Sequence, residues 1–139
     1  MPYRPCACVS WSSVAHVGGH ACVSQVDDLE DISDLEGYID RTVTILIFCS
    51  KGYFQSKNCI REIRSTVAKQ KPIIAVLDPD APSCAMTIDE IHEALTMAEA
   101  SQYASWGMAG DSGPGAEECM RALFEHEPIE WNRIGAFQE

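Results

Sequence analysis

VTILIFCSKGYFQSKNCIREIRSTVAKQKPIIAVLDPD, residues 43–80, holds two apolar runs with a helix-like segment between them. VTILIFC (43–49) and PIIAVL (72–77) are almost unbroken in apolar side chains. A strand with one wet face alternates apolar and polar. A continuous run instead suits a parallel strand covered on both faces. Between the runs, Cys59, Ile60, Ile63 and Val67 recur at helical spacing to about Gln70, and Ser56 stands where a cap is needed. Strand, helix and strand with short joints make a parallel crossover unit.

Working outward, ACVSQV (21–26) predicts a strand that ends at Asp27-Asp28. Leu29, Ile32, Leu35, Tyr38 and Ile39 then predict a helix through about Asp40. The order is β-α-β-α-β, which implies a parallel sheet with helices on both faces. Beyond it, 87–100 predicts a helix with Ile88, Ile91 and Leu95 inward, and GMAGDSGPG (107–115) a flexible loop. Residues 116–124 predict a short helix and PIEWNRI (128–134) a last short strand. The expected organisation is an irregular segment at 1–20 followed by one α/β domain at 21–139.

The bulk numbers set the class. A chain of 139 residues suits one domain, and 46% apolar with 22% charged residues fits a globular protein with a real core. No apolar run approaches the ~18 residues of a membrane helix, so no membrane insertion is expected. Serines and His16 interrupt MPYRPCACVSWSSVAHVGGH, which makes a poor signal peptide. A net charge of −11 argues against nucleic acid and anionic membranes as partners. Positions 27–40 hold seven acids and no base, whereas 41–71 hold seven of the ten bases and one acid, Glu62. Two readings follow. One copy's acidic face meets another's basic face, or both are solvated helix faces of a single domain.

The seven cysteines stand at 6, 8, 22, 49, 59, 84 and 119. Their number is odd, and Cys49 and Cys59 occupy apolar positions, which points to a reducing compartment without a disulfide framework. Cys6, Cys8, His16, His20 and Cys22 could in principle hold a metal, but their spacing matches no zinc pattern, and no metal is expected. The glycine pairs lack the Lys-Ser/Thr of a phosphate loop, and no nucleophile-elbow pattern places a serine. His92 and His126 are expected on solvated helix faces.

In parallel α/β sheets ligands bind beyond the carboxyl ends of the strands. Those ends read Val26-Asp27-Asp28, Cys49-Ser50-Lys51-Gly52-Tyr53 and Leu77-Asp78-Pro79-Asp80, all polar. Glu62 lies about 115° around its helix from the centre of the apolar stripe. It is thus either a border glutamate, held by Arg61, Lys69 or Thr66, or a half-desolvated carboxylate able to stabilise a cation or act on a water.

SKGYFQSKNCIREI resembles the strand-to-helix signature of Toll/interleukin-1 receptor (TIR) domains: Ser50, an aromatic Tyr53, then Ser56, Cys59 and Glu62 as Ser-x-x-Cys-x-x-Glu. VDDLEDISDLEGYIDRT (26–42) is similar to the family's second strand end, its loop and its helix. KPIIAVLDPD is similar to the fourth strand and EPIEWNRIGAFQ (127–138) to the fifth. The resemblance spans about 22–138, strongest at 41–78. It implies a flavodoxin-like α/β fold in which the usual first strand is degenerate or missing and the final helix is absent. It also implies a cytoplasmic signalling or scaffold module, of the kind used in innate immunity, that associates with itself or with other TIR domains. The contact would use the loop that here begins at Asp27, Asp28, Leu29, Glu30, Asp31 and Ile32. Some members cleave NAD+ to nicotinamide and ADP-ribose. That implies NAD+ as a substrate rather than a cofactor, Glu62 as the catalytic carboxylate, and a pocket that includes Ser50, Tyr53, Ser56 and Cys59. A carboxylate beside an oxocarbenium-like ribose is the logic of glycoside cleavage.

Overall fold

The computed structural model describes residues 12–15, 21–24, 34–78, 85–108 and 110–131. Its centre is a three-stranded parallel sheet in the order β3-β4-β5, built from β3 (Ile45–Cys49), β4 (Ile73–Leu77) and β5 (Ile129–Glu130). Ile45 pairs with Ile73 and Cys49 with Leu77, so the two apolar runs lie in register along their whole length. Val76 pairs with Ile129 on the outer strand. The fold is α/β, as the spacing of the two runs predicts.

The amino-terminal strands depart from expectation. β2 (Ala21–Ser24) pairs antiparallel with β1 (Ser12–Ala15), in a two-stranded sheet of their own. β1 lies beside β3 without joining its ladder. The strand at 21–24 is therefore not a member of the parallel sheet, and the segment expected to be irregular contains a strand. The physical reason is length. Only residues 16–20 separate the two strands, far short of the dozen or so that a parallel crossover needs.

The helices are α1 (Leu35–Asp40), α2 (Lys51–Gln55), α3 (Lys57–Ala68), α4 (Ile88–Met97) and α5 (Ala116–Leu123), with a π-helical turn at Ala98–Gln102 extending α4. Ser56 caps α3 as its position predicts, its hydroxyl accepting the amide hydrogen of Cys59. Thr87 caps α4 in the same way through Glu90. After α3 the chain turns through Gln70, a non-glycine residue in the left-handed region at φ 55°.

The connection after β3 reads as a loop but forms α2. Ser50 starts it by accepting from the amide of Tyr53, and Tyr53 and Phe54 enter the core edge-on to each other. Burial of two aromatic rings outweighs the weak helix propensity of Lys-Gly-Tyr.

The core takes its strand residues from one face of the parallel sheet: Ile45, Ile47, Cys49, Ile73 and Ala75. Packed on them are Leu35 and Ile39 of α1, Cys59, Ile60 and Ile63 of α3, Ile91 and Leu95 of α4, and Cys119 and Leu123 of α5. The described helices form one layer, α1 and α5 against α3 and α4 against α5. Helices on both faces, as the continuous strands predict, are not what these residues form. Leu46, Phe48, Ile74 and Val76 alternate onto the opposite face and stand outside the core cluster.

Candidate functional site

The carboxyl end of β3 leads through Ser50 into α2, and Ser56 hands the chain to α3. This places Tyr53 of α2 against Glu62 of α3. The Tyr53 hydroxyl donates to Glu62 Oε2 at 2.8 Å, and both side chains are buried. Glu62 is only 2% exposed, so it lies inside rather than at the border of the stripe. The helical arithmetic misplaces it because α3 is covered on more than its sheet side. Besides Cys59, Ile60 and Ile63, α3 also buries Glu62, Arg64 and Thr66. Thr66 bonds the Glu62 backbone carbonyl rather than its carboxylate, at 2.7 Å.

Burial drives the Tyr53 phenol well above its ordinary value, and the adjacent Glu62 carboxylate pushes in the same direction. The pair therefore keeps its proton on the phenol, and Glu62 is the acceptor. The other residues of the expected pocket have structural duties here. Ser50 and Ser56 cap helices, and Cys59 is buried in the core beside Tyr53. Cys49, Cys59 and Cys119 are in no disulfide, and burial lifts Cys49 and Cys119 to about 12. Asp78, at the end of β4, is buried. The structure thus gathers Ser50, Tyr53, Ser56, Cys59 and Glu62 into one neighbourhood. Asp27, Asp28, Leu29, Glu30, Asp31 and Ile32 lie outside the described residues. So do Cys6, Cys8, His16 and His20, and among the described residues no cluster of ligands suits a metal.

Three cavities lined by described residues lie away from Glu62. One, of about 500 Å³, runs along the flank of α3 beside Lys57, Arg61 and Arg64 and is closed by Trp106, Met108 and Asp111. Its cations are mostly engaged. Arg61 makes a bidentate bond to Glu36 at 2.8 and 2.7 Å. Arg64 is buried over the Tyr103 ring, donates to the Pro114 carbonyl at 3.0 Å, and grips both oxygens of Asp111. Lys69 bonds Asp40, Arg41 lies 3.6 Å from Asp34, and Lys71 donates to the carbonyls of Asp40 and Thr42. Among the described residues, Asp34, Glu36 and Asp40 of the acidic segment thus meet Arg41, Arg61 and Lys69 of the basic one within the chain.

The feature that sequence reading missed is the far face of the sheet. There Ile74 is 39% exposed, Ile129 53% and Trp131 57%, with Trp131 edge-on to Phe48 at 6.4 Å. Its signal was present, since a run apolar at both parities demands cover on both sides. No helix of the described residues is long and apolar enough to cross a membrane. No protein-family model, curated protein or solved structure matches the chain.

Proposed function

We propose that this chain is a protein-association module of TIR-like, flavodoxin-related type, serving as a cytoplasmic signalling or scaffold domain. The observation that carries association is the apolar sheet face at Ile74, Ile129 and Trp131, with Leu46 and Phe48 half-buried beside them. Contiguous exposed apolar surface on a folded chain marks a contact site. The TIR-like assignment rests on Ser50, Tyr53, Ser56, Cys59 and Glu62 and on the paired strands that flank them. A salt-driven contact between acidic and basic faces has less support, because Glu36, Asp40 and Asp34 already meet Arg61, Lys69 and Arg41 within the chain.

Cleavage of NAD+ is the second reading, and the grouping of Glu62 with Ser50, Tyr53, Ser56 and Cys59 after the carboxyl end of β3 favours it. The carboxylate would have to face the ribose as nicotinamide leaves, whereas here it is buried and accepts the phenol. The deciding experiment is nicotinamide release from NAD+ at high protein concentration, wild type beside Glu62→Gln, which keeps the side-chain volume. A folded wild type that releases none is the expected result. Release that vanishes in Glu62→Gln overturns the association reading in favour of a hydrolase.

A further inference from the structure

The cavity of about 500 Å³ along α3 shares no residue with the Glu62 neighbourhood or with the apolar sheet face. Every residue that lines it is among those described. Its volume falls in the range of about 300–1,000 Å³ common to small-molecule sites. Lys57, Arg61 and Ser65 follow one another at four-residue steps along α3, so they share one line of the helix. Trp106, Met108 and Pro114 add apolar wall. Both acids of the lining are already taken. Glu36 is held by Arg61 and Asp111 by Arg64, each through two hydrogen bonds. What is left unspent can donate. The Lys57 ammonium, the Ser65 hydroxyl and the Trp106 indole N–H have no hydrogen-bond or ion-pair partner among the described residues. Lys57, Arg61 and Arg64 against Glu36 and Asp111 leave the lining one positive charge over, on a chain of net charge −11.

We propose that this cavity binds a small organic oxyanion, a phosphate or carboxylate carried on a flat ring. Lys57 and Ser65 meet the anionic oxygens, and Trp106 packs against the ring. The two arginine pairs stay closed, and they hold α1 and the 103–115 connection against α3 around the ligand. Two other ligand classes fit less well. A cation would find no carboxylate in the lining that lacks an arginine. A wholly apolar ligand would strip water from Lys57 and Ser65 and put nothing in its place. The chain as a whole repels an anion, so binding depends on the local surplus and weakens with salt. The site stands independently of the association reading.

The test titrates the whole chain with naphthyl phosphate and with naphthoate, followed by calorimetry at low salt. Three controls take the ligand apart. Inorganic phosphate supplies the anion alone, naphthol the ring alone, and naphthylmethylamine the ring with a cation. The variants are Lys57→Gln, at an exposed position, and Trp106→Leu, at a half-buried one, with circular dichroism to confirm the fold. Lys69→Gln, on the same helix but outside the cavity, serves as the reference variant. One of the two oxyanions is expected to bind at least about tenfold tighter than every control, and the tighter of them identifies the anionic group. That affinity is expected to fall about fivefold or more in Lys57→Gln and in Trp106→Leu, and to hold in Lys69→Gln. Equal affinity for any of the three controls, no saturable binding by the folded wild type, or binding untouched by Lys57→Gln overturns the proposal.

Discussion

Glu62 and Tyr53 form a pair whose partners need each other. Removing the phenol takes a donor from a buried carboxylate, and removing the carboxylate leaves a buried hydroxyl without an acceptor. Each loss costs about 1–3 kcal/mol. Tyr53→Phe and Glu62→Met, which removes the acceptor at similar volume, are therefore expected to destabilise singly and to couple by about 1 kcal/mol or more in a double-mutant cycle measured by urea unfolding. The sequence placed Glu62 near the site but at the wrong depth. Helical geometry shows which side chains share a face with the sheet, but not that α2 will lie against the helix's flank. Base is a second probe at this scale. Burial raises Cys49 and Cys119 from 9.0 to about 12, Tyr103 from 10.0 to about 12, and Tyr53 above 10.0. These groups ionise more readily in the unfolded chain, so their contribution is whole below about 9 and is lost as pH rises toward 12. Thermal melts are expected to show Tm falling steadily across that window.

At the scale of elements, α3 is the axle of the molecule. Its Ser56 cap and its apolar spacing were legible in the sequence because each is a local property. Its grip on the 103–115 connection was not, because Arg64 and Asp111 lie 47 residues apart. The glycine-rich stretch that reads as a flexible loop is tied down by that guanidinium. Gly113 shows how closely, since a Cβ there would lie 2.4 Å from Arg64 Nη2. The side chain it meets is buried and held by Asp111, Pro114 and Tyr103, so it cannot swing away without losing them. Gly113→Ala is expected to cost about 1–3 kcal/mol and to raise hydrogen exchange at 110–115, whereas Gly110→Ala is strained only by its φ of 77°. Exchange unchanged in Gly113→Ala would mean that the loop owes its order to something other than Arg64. The parallel pairing of β3 and β4 was read correctly from their unbroken apolar runs. The antiparallel hairpin of β1 and β2 was missed because ACVSQV carries no mark of strand direction.

Across the whole molecule, charge acts as internal fastening. Glu36 and Asp40 tie α1 to Arg61 and Lys69 of α3, and Asp111 ties the 103–115 connection to Arg64. Hydrogen bonds from those cations hold Glu36, Asp40 and Asp111 below their ordinary values of 4.5, 3.8 and 3.8. Lowered carboxylates stabilise above their ordinary values and lose that contribution as pH falls through the lowered ones. Tm is accordingly expected to drop below about pH 4.5. Surface pairs of this kind contribute little individually, so the decline should be gradual. High salt screens these pairs, so it is expected to make the decline shallower without changing the sedimentation coefficient, because the pairs lie within the chain. A salt-dependent change of mass would place some of them between copies.

The exposed apolar side chains of the far sheet face bear also on how long such a chain survives. Ile74, Ile129 and Trp131 present to the surroundings what an unfinished fold presents, and the machinery that triages unfolded protein recognises apolar surface rather than history. A domain made without its contact partner is then short-lived even when fully folded. Its abundance follows the supply of whatever shields that face, and the stoichiometry of the pair is set by turnover instead of by synthesis.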